Sequence, residues 1–155
     1  MNDYQKSITV NKPISEVYAA ITEHIADWWS NDFTGAAARA GDSFDIAFGE
    51  TRKTFDIEAA VTNEQVVWKC VKAYINNTSL QNKAEWVGTK MIWTFKADDQ
   101  STTLTFLHEG LNKNLECYKL CEAGWDMFLA SLQVYLTTGK GTPFLKANAT
   151  KILPA

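Results

Sequence analysis

His108 is the residue whose type and position point most directly to chemistry. It closes an alternating run in which Leu104, Phe106 and His108 fall on one side and Thr103, Thr105 and Leu107 on the other, so its imidazole is aimed inward with two large apolar neighbours. An imidazole in apolar surroundings can hydrogen-bond a ligand or exchange a proton near neutral pH. With Tyr74, Tyr118 or Glu109 nearby it could form a cyclase- or hydrolase-like site, and it could equally be a satisfied core histidine. Cys117 and Cys121 lie one helical turn apart, which makes their thiols neighbours. A nucleophilic thiol needs a base or a positive environment; Lys113 and Lys119 are the local candidates, and packing is the simpler reading. His24, near the end of an early helical pattern, reads as exposed. The chain has no CxxC, HxxxH or His-carboxylate spacing, so neither a metal nor a cofactor is expected. Asp98-Asp99 suits a turn, and Gly139-Lys140-Gly141-Thr142 follows a helix where a phosphate loop would precede one. No nucleophile, base and orienting group line up, so no catalytic residue is assigned and a binding protein is expected rather than an enzyme.

Composition narrows the class of protein that must hold these residues. A chain of 155 residues with 46% hydrophobic and 21% charged residues is expected to form a single domain, 1–155, with one core. No apolar run is long enough for a membrane span, and the first ten residues do not read as a secretory signal. The three cysteines, Cys70, Cys117 and Cys121, are odd in number and fit reduced thiols, so the expected location is cytoplasmic. A net charge of −3, with Lys and Arg scattered along the chain, argues against a nucleic-acid partner. Six tryptophans beside eight Phe and five Tyr are more aromatic bulk than a core of this size requires.

The elements that position these residues follow from periodicity. Tyr4 to Val10 alternates as a first strand, and Pro13 opens one helix or two short ones along Val17, Ile21, Ile25 and Trp28. Ser30 to Asp42 shows no period and reads as a mobile loop. Five strand patterns follow, with Phe44, Ile46 and Phe48; Phe55, Ile57, Ala59 and Val61; Val66, Trp68 and Cys70; Met91, Trp93 and Phe95; and Leu104, Phe106 and His108 on their respective faces. Gly49 to Arg52 is assigned to a turn and Asn76 to Gly88 to a long hairpin loop or bulge. Last comes an amphipathic helix from about Asn114 to Thr138, with Tyr118, Cys121, Trp125, Phe128, Leu129, Leu132, Tyr135 and Leu136 on one face and Gly139 as its stop. Such a helix must cover an antiparallel sheet, which makes the fold class α+β.

The punctuation of this pattern carries a family resemblance over nearly the whole chain. Its residues are Ile8 and Val10 before Pro13-Ile14-Ser15-Glu16-Val17-Tyr18, the Trp28-Trp29 pair, Gly41-Asp42-Ser43-Phe44, Val67-Trp68-Lys69, Leu104-Thr105-Phe106-Leu107-His108-Glu109-Gly110, and Gly124-Trp125 with Thr138-Gly139-Lys140-Gly141. The chain resembles the family named for the activator of the heat shock protein 90 ATPase, within the START-like (SRPBCC) helix-grip superfamily. The resemblance implies a curved antiparallel sheet wrapped around the long C-terminal helix, with a hydrophobic cavity between them and two short helices after the first strand. Lining the cavity, by the same resemblance, would be Phe44, Phe48, Phe55, Trp68, Trp93, Phe95 and Phe106 from the sheet, His108, and Cys121, Trp125 and Phe128 from the helix. Trp28, Trp29 and Phe33 would form its mouth. The superfamily includes lipid carriers, hormone-binding proteins and cyclases, so the expected partner is a small apolar or aromatic ligand. A monomer or homodimer is expected, and a chaperone partner follows from the family label alone.

Overall fold

The computed structural model describes residues 2–148. Strand β1 (Tyr4–Val10) leads into helix α1 (Ile14–Thr22) and a 3-10 turn (Ile25–Asp27). Strands β2 (Phe33–Gly35), β3 (Ser43–Phe48), β4 (Thr51–Val61), β5 (Gln65–Tyr74), β6 (Lys90–Asp98) and β7 (Ser101–Glu109) follow, and then helix α2 (Tyr118–Thr138). The strands form one antiparallel sheet in the order β1-β7-β6-β5-β4-β3-β2. From β2 to β7 each strand pairs with its successor, and β1 returns to the far edge beside β7. The apolar face of α2 (Cys121, Trp125, Phe128, Leu129, Leu132 and Leu136) is buried, giving the α+β helix-grip arrangement.

Three elements depart from the periodicity. The segment expected to be a mobile loop contains β2, whose Phe33–Gly35 pairs with Phe44–Ile46 and extends the sheet by one strand. Three residues are too few to show an alternation, but Gly35 marks the place: at φ +114° it lies against β3, where a Cβ would meet the Ser43 carbonyl. Strand β4 starts at Thr51 rather than Phe55, so Thr51 and Lys53 join Phe55 and Ile57 on the inner face. A register shift between Ile57 and Ala59 then reverses the alternation, leaving Val61 48% exposed while Ala60 packs on the core. Helix α2 begins at Tyr118, about one turn later than expected, because Asn112 to Cys117 form turns held by side chains. Asn112 Oδ1 accepts from the Asn114 amide, and the Glu85 carboxylate accepts from the Glu116 and Cys117 amides at 3.0 and 2.9 Å. At the other end Gly139 takes the left-handed conformation (φ 85°) and donates to Tyr135.

The corner after α1 is bound to α2 through one hydroxyl. Ser131 Oγ donates to the Trp28 carbonyl at 2.7 Å and accepts from the Thr142 amide at 2.8 Å. Phe144 then docks as a buried side chain, exchanging backbone bonds with Trp29 and Asn31. Trp28 and Trp29 are thereby drawn into the core rather than left at a rim, with Trp28 Nε1 donating to the Ala20 carbonyl at 2.9 Å. Residues 149–155 lie outside the described residues.

Candidate functional site

Between α2 and the inner face of the sheet lies one continuous set of aromatic rings. Trp29 is its hub, with ring centroids 5.1 Å from Trp125, 5.7 Å from Trp68, 5.7 Å from Phe55 and 5.5 Å from Phe48. Trp93 lies 5.0 Å from Trp68 and 4.3 Å from Phe106, which in turn sits 4.4 Å from Trp125. Of the residues expected to share this space, Phe44, Phe48, Phe55, Trp68, Trp93, Phe106, His108, Cys121, Trp125 and Phe128 are buried together, and Trp28 joins them through Trp93. Two lie at the margins: Phe33 is half-buried against Phe44 on the β2 edge, and Phe95 packs against Tyr18 of α1. The space is occupied by the protein's own rings, so a ligand must displace side chains to enter.

His108 sits at one end of this set, fully buried. Trp125 Nε1 donates to its Nδ1 at 3.0 Å, and its Nε2 lies 2.8 Å from Thr89 Oγ1. The Thr89 hydroxyl donates to the Trp86 carbonyl at 2.7 Å, which leaves Oγ1 free to accept and assigns the imidazole proton to Nε2. Gly110 makes this approach possible: at φ +101°, its Cβ position would fall 2.8 Å from Thr89 Cγ2. Burial, with a smaller effect from Lys53, lowers the His108 pKa to about 3. The ring is therefore neutral, and both nitrogens are engaged. Tyr74 is exposed, Glu109 is exposed and Tyr118 donates to Glu122, so none of the partners considered for His108 joins it. The arrangement suits a fixed hydrogen-bonding strut better than a general base.

The sequence did not single out the most unusual group here. Lys53 is 1% exposed, and its Nζ has no hydrogen-bond partner. The Nζ stands 3.7 Å from the centroid of the Trp86 ring and 5.4 Å from that of Phe48. Trp86, from the loop between β5 and β6, stacks on Trp125 at 5.8 Å and donates from Nε1 to Cys121 Sγ at 3.1 Å. Burial lowers the Lys53 pKa, opposed by the thiols of Cys121, Cys70 and Cys117. Cys121 is lowered because Cys117 donates to it, helped by Lys53 and Trp86, and Cys117 holds its proton correspondingly more tightly. Cys70 is pushed up to about 12 by burial. The signal for Lys53 was available, since it shares the alternation phase of Phe55 and Ile57 once the strand is started at Thr51. Trp86 had no such signal, because its loop has no period.

Elsewhere a hollow of about 620 Å³ beside the end of α2, lined by Tyr135, Pro143 and Leu145 among others, is mainly apolar. A polar groove of about 1090 Å³ runs between β1 and the start of α2 and is lined by Asp3, Lys6, Lys113 and Glu122, with Tyr4 donating to Asp126 at 2.6 Å. Among the described residues no group of three or more His, Cys, Asp or Glu converges as a metal site, and no helix is long and apolar enough to cross a membrane.

The family model for "Activator of Hsp90 ATPase homolog 1-like protein" matches residues 11–137. The chain belongs to this family. Solved structures similar to this activator-homologue-like chain share its fold. The Aha1 dimer from Colwellia psychrerythraea is 23% identical with a TM-score of 0.72, covering 91% of this chain and all of that one. DynU16, from the dynemicin biosynthetic locus, is 21% identical with a TM-score of 0.69, covering 91% of this chain and 49% of that one. CalU16 from Micromonospora echinospora is 17% identical with a TM-score of 0.65, covering 94% and 80% respectively. No curated protein matches the chain significantly in sequence.

Proposed function

We propose that this protein binds a small hydrophobic or aromatic molecule between α2 and the sheet, the ligand taking space now held by side chains around Trp86. The observation carrying this reading is a concentration of unmet polar groups inside one aromatic cluster. Lys53 Nζ, Trp68 Nε1 and Trp93 Nε1 are all buried without a partner. Each such group costs about 1–3 kcal/mol, and a core made only for stability would use Leu or Phe at these positions. Unmet groups among flat apolar walls are features of a site that gains its last contacts from a ligand. Membership of a family whose fold places its long helix over the sheet supports the same reading.

The test is a titration with the neutral fluorophore N-phenyl-1-naphthylamine. Saturable quenching of tryptophan emission at about one molecule per chain is expected, with energy transfer to the dye. A linear, non-saturating response would remove the reading. A homodimer accompanies the proposal, because one similar structure is described as a dimer; sedimentation velocity giving only the monomer mass at 100 μM, roughly the scale of weak association, would rule it out.

A further inference from the structure

We propose that Lys53 is the recognition anchor of the interior site and that the natural ligand is a planar, largely aromatic molecule bearing one carboxylate. This inference rests on the ligand-binding reading above and specifies its chemistry.

The three unpartnered groups are all donors: an amine and two indole N–H groups. What would complement them is an acceptor. The protein's own acceptors nearby are committed. Cys121 Sγ accepts from Trp86 Nε1, and Lys53 Nζ has no hydrogen-bond partner among the sulfurs. His108 Nδ1 is taken by Trp125, and the Glu85 carboxylate is turned toward the backbone at the start of α2. Without a ligand, the positive end of Lys53 has only the π face of Trp86 to rest on.

One lysine fixes the ligand's charge. Among the described residues Lys53 is the only Lys or Arg that is buried, so the site can compensate one negative charge, as on a carboxylate, and not the two of a phosphate monoester. The walls fix its shape. Trp86, Trp125 and Trp29 lie nearly parallel, with interplanar angles of 11° between Trp86 and Trp125 and 22° between Trp29 and Trp125, so a flat ring replacing Trp86 would find a stacking partner already in place. Moving Trp86 also uncovers the Nζ that its ring now covers. The same displacement therefore opens the stacking slot and frees the charged partner.

The experiment compares 2-naphthoate with its uncharged analogue 2-naphthalenemethanol on the wild-type chain and on Lys53→Met, by calorimetry and tryptophan quenching. The wild type is expected to prefer the acid about tenfold or more, the scale of one charge-assisted hydrogen bond in a dry site. In Lys53→Met the ratio of the two affinities is expected to fall to near one. An unchanged near-UV circular dichroism spectrum checks that the variant keeps its aromatic packing. If the wild type binds both compounds equally, or the variant keeps the preference, the anchor assignment is overturned while the ligand-binding reading stands. If neither compound nor the neutral dye binds the wild type, both fall.

Discussion

His108 and Lys53 face the same aromatic interior from β7 and β4, and their treatment is opposite. Each nitrogen of His108 has a partner, and those partners are themselves satisfied in a chain from Trp125 to the Trp86 carbonyl. Lys53, equally buried, has none. A polar group in a protein interior is inexpensive when every bond is made and destabilising when one is missing. The histidine thus belongs to the architecture. The lysine is a local departure from it, of the kind found where binding outweighs stability.

The sharpest test of this contrast is acid titration. Because the folded His108 pKa is about 3 and the unfolded value about 6.5, the unfolded chain takes the proton first. Stability should be complete above pH 6.5 and fall by roughly 1.4 kcal/mol per pH unit between 6.5 and 3 through this group. Urea denaturation in that window, compared between the wild type and His108→Leu, should show a gentler slope in the variant. Next in size, His108→Leu at pH 7.5 should lose about 3 kcal/mol, because it strands the Trp125 N–H in an apolar setting and removes the donor to Thr89 Oγ1, whose own bond to the Trp86 carbonyl remains. A loss under 0.5 kcal/mol would mean that the strut contributes nothing.

Lys53→Met should move the other way, stabilising the unliganded protein by about 1–3 kcal/mol at pH 7.5. The Lys53 pKa is lowered on folding, so the wild type should close this gap as pH rises toward 10.5, where the unfolded lysine also loses its proton. A variant less stable than wild type at every pH would place Lys53 with the architecture and erase the contrast. The smallest effect is expected at the covering loop. Glu85→Ala removes acceptors from two amides at the start of α2 and should cost about 1 kcal/mol, read from the denaturation midpoint.

Residues with a period were legible in the sequence, and residues whose position depends on a break in the period were not. The alternation of Trp68 and Cys70, of Met91 and Trp93 and of Phe106 and His108 survives into the fold, because each pair lies on a regular stretch of ladder. Val61 was assigned to the wrong side because one bulge after Ile57 shifts the phase by a residue, and nothing in a run of Ala59, Ala60 and Val61 marks it. Lys53 was missed for a chemical reason: a charged residue beside Gly49, Glu50 and Arg52 reads as part of a polar turn. Trp86 and the late start of α2 share one cause, a contact between segments about 30 residues apart that no local pattern encodes.

That contact is reciprocal. The Glu85 carboxylate holds the amides of Glu116 and Cys117, while the Glu116 carboxylate holds those of Gln81 and Asn82, at 2.9–3.0 Å throughout. Each segment ends the other's search for hydrogen-bond acceptors, so neither can loosen alone. Deuterium uptake at the Cys117 amide should therefore act as a clock for departures of Trp86 from its slot, ticking slowly while the indole fills it and faster when a guest takes its place.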